Sequence, residues 1–120
     1  MGKKVFIVDD SNDIQEVIGI LLTTNGHSVK GATNSGLALD LIRYFVPDLL
    51  LMDLKMPGMD SCEFVQSVRQ FCPTASIVLM SGAENLTATA ATLGIEHWLR
   101  KPFENDDLLA MVKKTISKIS

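Results

Sequence analysis

The chain has 120 residues, 47% of them hydrophobic, and a formal net charge of −3. That length suits one domain with enough apolar content for a core, no basic stripe points to a nucleic-acid surface, and no apolar run reaches the ~20 residues of a membrane span. The opening "MGKKVFIVDD" lacks the long apolar region and cleavage site of a signal peptide and the Ser or Thr at position six of a myristoylation signal, so a cytoplasmic single domain, 1–120, is expected.

Strand-like and helix-like segments alternate along the chain. Lys4–Val8 is a short β-rich run. Asn12–Asn25 carries Ile14, Val17, Ile18, Leu21 and Leu22 at helical spacing, and Gly26 ends it as a helix C-cap does. Ser28–Ala32 is a second, more polar strand, and Ser35–Phe45 is a helix with an Ala38, Leu41, Ile42, Phe45 stripe, stopped by Pro47. Asp48–Met52 is the third strand, and Pro57 with Gly58 marks the loop after it. Ser61–Phe71 is a helix with Phe64, Val65 and Val68 inward, closed by Pro73.

Ser76–Met80 is the fourth strand. Asn85–Leu93 is a weak helix, because its Ala/Thr mix makes a poor stripe and threonine loses rotamer freedom in a helix. Gly94 ends it, His97–Arg100 is the fifth strand, and Glu104–Ser117 is the last helix, with Leu108, Leu109, Val112 and Ile116 facing in. Cys62 and Cys72, ten residues apart on a helix, stand ~15 Å from each other. That is beyond the ~7 Å reach of a disulfide, so both are expected as reduced thiols.

Five β-α pairs imply an α/β fold: a doubly wound parallel sheet covered by helices on both faces. The near-continuous apolar first, third and fourth strands belong at its centre. Right-handed crossovers then favour the flavodoxin-like order 2-1-3-4-5. In such sheets ligands bind beyond the carboxyl ends of the strands. Asp9 and Asp10 end the first strand, Asp53 the third, Ser81 the fourth and Lys101 the fifth. Three carboxylates brought to one switch point repel and raise one another's pKa unless a cation joins them. Oxygen ligands suit Mg²⁺, or Mn²⁺ in its place. A carboxylate in that company, with a lysine and a hydroxyl opposite, can act as nucleophile toward a phosphoryl group.

The motifs "VFIVDDS", "LLLMDLKMPGMD", "IVLMSG" and "WLRKPF" resemble, in order and spacing, those of response-regulator receiver domains of two-component signalling. The resemblance implies that Asp53 accepts a phosphoryl group from a histidine kinase or phosphotransfer protein. It implies Mg²⁺ bound directly by Asp10, with Asp9 binding it through water or assisting, and further ligands from Asp53 and the main-chain carbonyl of Lys55. Lys101 and Ser81 would contact the phosphoryl oxygens, the Lys101–Pro102 bond would be cis, and Trp98 would stand where an aromatic switch usually sits. The chain would catalyse only its own phosphorylation and dephosphorylation. Its output surface would be the face of the fourth helix, fifth strand and fifth helix, for an unknown effector, with a homodimer through that face left open. Ser61, Gly82, Lys55 and Trp98 depart from the commonest residues at their positions. Lys55 puts a cation where it can steer water near Asp53.

Other readings stand beside this one. Trp98 is equally a fixed, half-buried anchor or a partner contact. His27, His97 and Arg100 read as surface residues, and Met56 and Met59 as partly exposed beside the site. A metal-dependent phosphohydrolase would share the acid cluster, but Lys55 stands where its second acid belongs and there is no insertion for a substrate cap. An FMN binder would need a Ser/Thr/Gly-rich phosphate loop where "DDSND" stands.

Overall fold

Alternate side chains of the strands enter two separate cores, one on each face of a five-stranded parallel sheet ordered β2-β1-β3-β4-β5. The strands are β1 (Lys4–Val8), β2 (Ser28–Ala32), β3 (Leu49–Asp53), β4 (Ser76–Ser81) and β5 (His97–Arg100). The helices are α1 (Asn12–Thr24), α2 (Ser35–Phe45), α3 (Ser61–Phe71), α4 (Leu86–Leu93) and α5 (Asn105–Ile116). This computed structural model describes residues 2–56 and 58–117, so the turn residue Pro57 and the ends of the chain lie outside the described residues.

Phe6, Val8, Leu50, Met52, Ile77 and Leu79 pack beneath α2, α3 and α4, whose inward residues include Ile42, Phe64, Val68 and Leu86. Their neighbours Val5, Ile7, Leu49, Leu51, Val78 and Met80 pack beneath α1 and α5, against Ile18, Leu22, Leu108 and Val112. A strand covered on both faces must be apolar at every position. β3 accordingly is buried throughout, whereas β2 at the sheet edge is largely exposed.

The helix starts follow their caps. Ser11, Asn34 and Asp60 each accept a hydrogen bond from the backbone N–H three residues on, opening α1, α2 and α3. Four expected helix boundaries move by one residue because Asn25, Asn85, Glu104 and Ser117 stand in cap positions. Asn25 closes α1 with its amide on the Leu21 carbonyl, at 2.8 Å. Asn85 and Glu104 precede α4 and α5, and the Glu104 N–H donates to Asp107. Asp48, expected to open β3, uses its carboxylate to accept from Lys4 N–H instead, at 2.9 Å. At the other end β3 and β4 run one residue further than expected, to Asp53 and Ser81, because both pair in the ladder, with Met80 and Arg100.

Val46 closes α2 at φ 51°, ψ 69°, with its N–H on the Ile42 carbonyl. A β-branched residue is strained in this left-handed region by about 1–2 kcal/mol, and at 54% exposure Val46 recovers little by burial. Val46→Gly is expected to stabilise the protein by about 0.5–1 kcal/mol after the entropy cost of glycine, read as a higher urea midpoint at unchanged slope.

Candidate functional site

The carboxyl ends of β1 and β3 are neighbours because these strands pair, Val8 opposite Met52. The residues that follow, Asp9 and Asp10, therefore meet Asp53 at one sheet edge. One carboxylate oxygen from each lies within 4.8 Å of the others. Asp9 is fully buried and Asp53 is 6% exposed, while Asp10 faces solvent. Lys101, one residue past β5, reaches across the end of the sheet. Its Nζ is 2.7 Å from Asp9 Oδ2 and 3.5 Å from Asp53 Oδ2.

The second carboxylate oxygens of Asp9 and Asp53 are held by the main chain. Asp9 Oδ1 accepts from Ser11 N–H at 3.0 Å, and Asp53 Oδ1 accepts from Lys55 N–H at 3.2 Å. Burial pushes the Asp53 carboxyl above its ordinary pKa, and the Asp9 charge adds to that, against the Lys55 amide and Lys101. A pocket in which one acid is reluctant to ionise, built only from oxygen donors, fits a hard divalent cation. The donor set is that of Mg²⁺ or Mn²⁺ rather than a thiolate- or imidazole-binding metal.

Ser81 and Lys101 are joined through the backbone, Lys101 N–H donating to the Ser81 carbonyl at 2.9 Å. The Ser81 hydroxyl accepts from Ala83 N–H, 3.0 Å away, within its own loop. The Lys101–Pro102 bond is cis. Lys55 is exposed, and only its main-chain N–H touches Asp53 among the contacts described. Trp98 is half-buried against the core cluster that α4 shares. Cys62 is exposed and Cys72 buried, and both are free thiols.

Several residues differ from their sequence reading. Arg100 is exposed but not merely solvated, because Nη1 donates to the Ala83 carbonyl at 2.6 Å and ties β5 to the β4–α4 loop. Met56 is buried rather than partly exposed, packed in the core under α2 and α3. His27 accepts from Lys3 N–H at Nδ1, and its partial burial lowers its pKa. His97 is half-buried and lines a cavity with Arg69, Ser76 and Thr115. Arg69 itself was not singled out by sequence; it donates to the Leu93 and Gly94 carbonyls, at 2.9 and 2.8 Å, and pins the C-terminus of α4 to α3. Gly94, left-handed at φ 68°, marked a helix end whose carbonyls need donors.

The family model for the response regulator receiver domain matches residues 5–113. The DNA-binding transcriptional regulator NtrC of Klebsiella pneumoniae is 32% identical over 114 residues, 93% of this chain, and the chain spans 24% of that relative's length. Chemotaxis protein CheY of Bacillus subtilis is 30% identical over 120 residues, covering 98% of this chain and 100% of CheY. The crystal structure of a CheY-like response regulator receiver domain protein from Methanospirillum hungatei superposes with a TM-score of 0.89 at 25% identity, over 98% of this chain and 96% of that one. With its sheet order, its acidic edge and these relatives in agreement, the chain belongs to the response regulator receiver domain family.

Proposed function

We propose that the chain, acting as one domain over 1–120, is the phosphoacceptor of a two-component pathway. Asp53 takes the phosphoryl group from a phosphohistidine on a histidine kinase or phosphotransfer protein. The observation that carries this reading is the convergence of Asp9, Asp10 and Asp53 within 4.8 Å, with Lys101 against them. An Asp53 oxygen attacks phosphorus, the P–N bond to the donor imidazole breaks, and its electron pair leaves with the ring. Asp9, Asp10, Asp53 and the Lys55 carbonyl would hold Mg²⁺, or Mn²⁺, which when bound offsets the charge of acids and phosphoryl oxygens. Lys101 turns from Asp9 onto a phosphoryl oxygen, and the Ser81 hydroxyl turns from the Ala83 amide to donate to another.

The acyl phosphate adds charge near −2 at pH 7 and shifts a pre-existing equilibrium of the loops that carry Ser81 and Lys101. α4 is the element suited to respond. Its N-cap Asn85 makes no side-chain capping hydrogen bond and its first turn carries no acid, so its N-terminal end is held less firmly than the C-terminus that Arg69 pins. The α4-β5-α5 face, with Trp98 on β5, is the output surface for an effector or for a second copy of the chain. The domain turns over no second substrate, binds no nucleic acid directly and works in the cytoplasm. No helix among the described residues is long and apolar enough to cross a membrane.

Acetyl phosphate with Mg²⁺ is expected to add one phosphoryl group, seen by intact mass. Amide exchange is then expected to change on α4, β5 and α5; changes confined to α1 and α2 would contradict the output face. Sustained hydrolysis of phosphate esters by pure protein would return the phosphohydrolase reading.

A further inference from the structure

We infer that Gln15 is a positioning residue for the buried acid Asp9, and that Gly31 supplies the space this requires; the inference rests on the metal-assisted reading above. Gln15 stands in the first turns of α1. Its Nε2 lies 3.1 Å from the Ile7 carbonyl, 3.2 Å from that of Asp9 and 2.8 Å from that of Ala32. An amide has two N–H bonds, so the three acceptors share them around one nitrogen. The β1–β2 ladder ends at the pair Val8–Ala32. There Gln15 ties the two strand ends together, alongside one last main-chain bond from Asp9 N–H to the Ala32 carbonyl.

Every polar atom of Asp9 is thereby held. Its N–H donates to the Ala32 carbonyl at 3.3 Å, its carbonyl accepts from Gln15, Oδ1 accepts from Ser11 N–H and Oδ2 from Lys101. Gln15 is the one of these partners whose side chain grips the Asp9 backbone without touching an acid. Gly31 supports the same device from a different element. It is not among the glycines at positive φ, so its backbone does not call for glycine. A Cβ there would sit 2.0 Å from Gln15 Oε1 and 3.0 Å from the Ile7 carbonyl. Any side chain at position 31 displaces the Gln15 amide.

Mg²⁺ demands near-ideal octahedral geometry, whereas Ca²⁺ accepts irregular oxygen sites. Loosening Asp9 therefore penalises Mg²⁺ more than Ca²⁺. The test is calorimetric titration of each metal, without phosphodonor, into the full chain, its Gln15→Ala and Gly31→Ala variants and the double variant, with thermal unfolding as the check on folding. Gln15→Ala is expected to weaken Mg²⁺ binding by about tenfold and Ca²⁺ binding less. Gly31→Ala is expected to do the same alone and to add nothing in the Gln15→Ala background, because both act through one amide. Gly31→Ala keeps every hydrogen-bonding group and carries the test if Gln15→Ala does not fold. Mg²⁺ affinity unchanged in either folded variant, equal losses for the two metals, or additive losses in the double variant would overturn the inference while leaving the phosphoacceptor reading intact. A parent chain that binds no Mg²⁺ would overturn both.

Discussion

Asp53→Asn is expected to abolish phosphoryl labelling by acetyl phosphate and Mg²⁺ while making the metal-free protein more stable. The first effect follows from the division of roles among the acids. Asp9 is fully buried and committed to Lys101 at 2.7 Å, and Asp10 is exposed. Asp53 is the acid at the end of a central strand, with one oxygen on the Lys55 amide and the other 3.5 Å from Lys101. An asparagine there keeps the shape and removes the anionic nucleophile. Labelling that survives would move the acceptor elsewhere. The second effect follows from the raised pKa of Asp53, caused first by burial. A group whose folded pKa lies above its unfolded value of 3.8 favours folding when protonated. That contribution is complete below 3.8 and lost as pH rises through the folded pKa. At neutral pH the ionised side chain is therefore a cost, which Asn removes. The variant is expected to be more stable than the parent in the absence of metal. Its advantage should shrink as pH falls toward 4 or as Mg²⁺ is added, both followed by urea unfolding.

Lys101→Met is expected to act in three directions at once. Its ammonium is the positive group held between Asp9 and Asp53, and its side chain is 24% exposed. Removing one partner from a buried ion pair leaves an uncompensated charge, worth about 3–5 kcal/mol when burial is complete. With solvent reaching the lysine, the metal-free variant should lose roughly 2 kcal/mol. The same loss frees Asp9 Oδ2, so Mg²⁺ should bind more tightly and restore stability more than it does in the parent. Phosphorylation should nevertheless slow by about 10²–10³, because a preorganised donor to the phosphoryl oxygens is gone. Calorimetric Mg²⁺ titration and stopped-flow labelling separate the outcomes. Weaker Mg²⁺ binding in the variant would mean that Lys101 supports the acid cluster rather than competing for it.

The strands and helices were legible because their signals are local. Leu49 to Met52 is apolar at every position because both faces of β3 are covered, and the α1 and α3 stripes repeat at the helical period. The site was legible for a topological reason. Parallel strands joined by right-handed crossovers all end at one sheet edge, so acids at the ends of β1 and β3 must meet once the order 2-1-3-4-5 is granted. What local pattern does not contain is which donor each acceptor finds. Lys101 and Asp9 are 92 positions apart, and their 2.7 Å contact depends on how the β5–α5 turn settles against β1. Arg100 read as a solvated cation and Gln15 carried no signal in the sequence, yet packing turns both onto carbonyls outside the strand ladders. Gly31 was the trace of that in the sequence, an isolated glycine in a strand where another group comes close. Apolar periodicity is set by which face a residue occupies, and the sequence states it outright. Hydrogen-bond partners are set by where the faces come together, and that exists only in the folded chain.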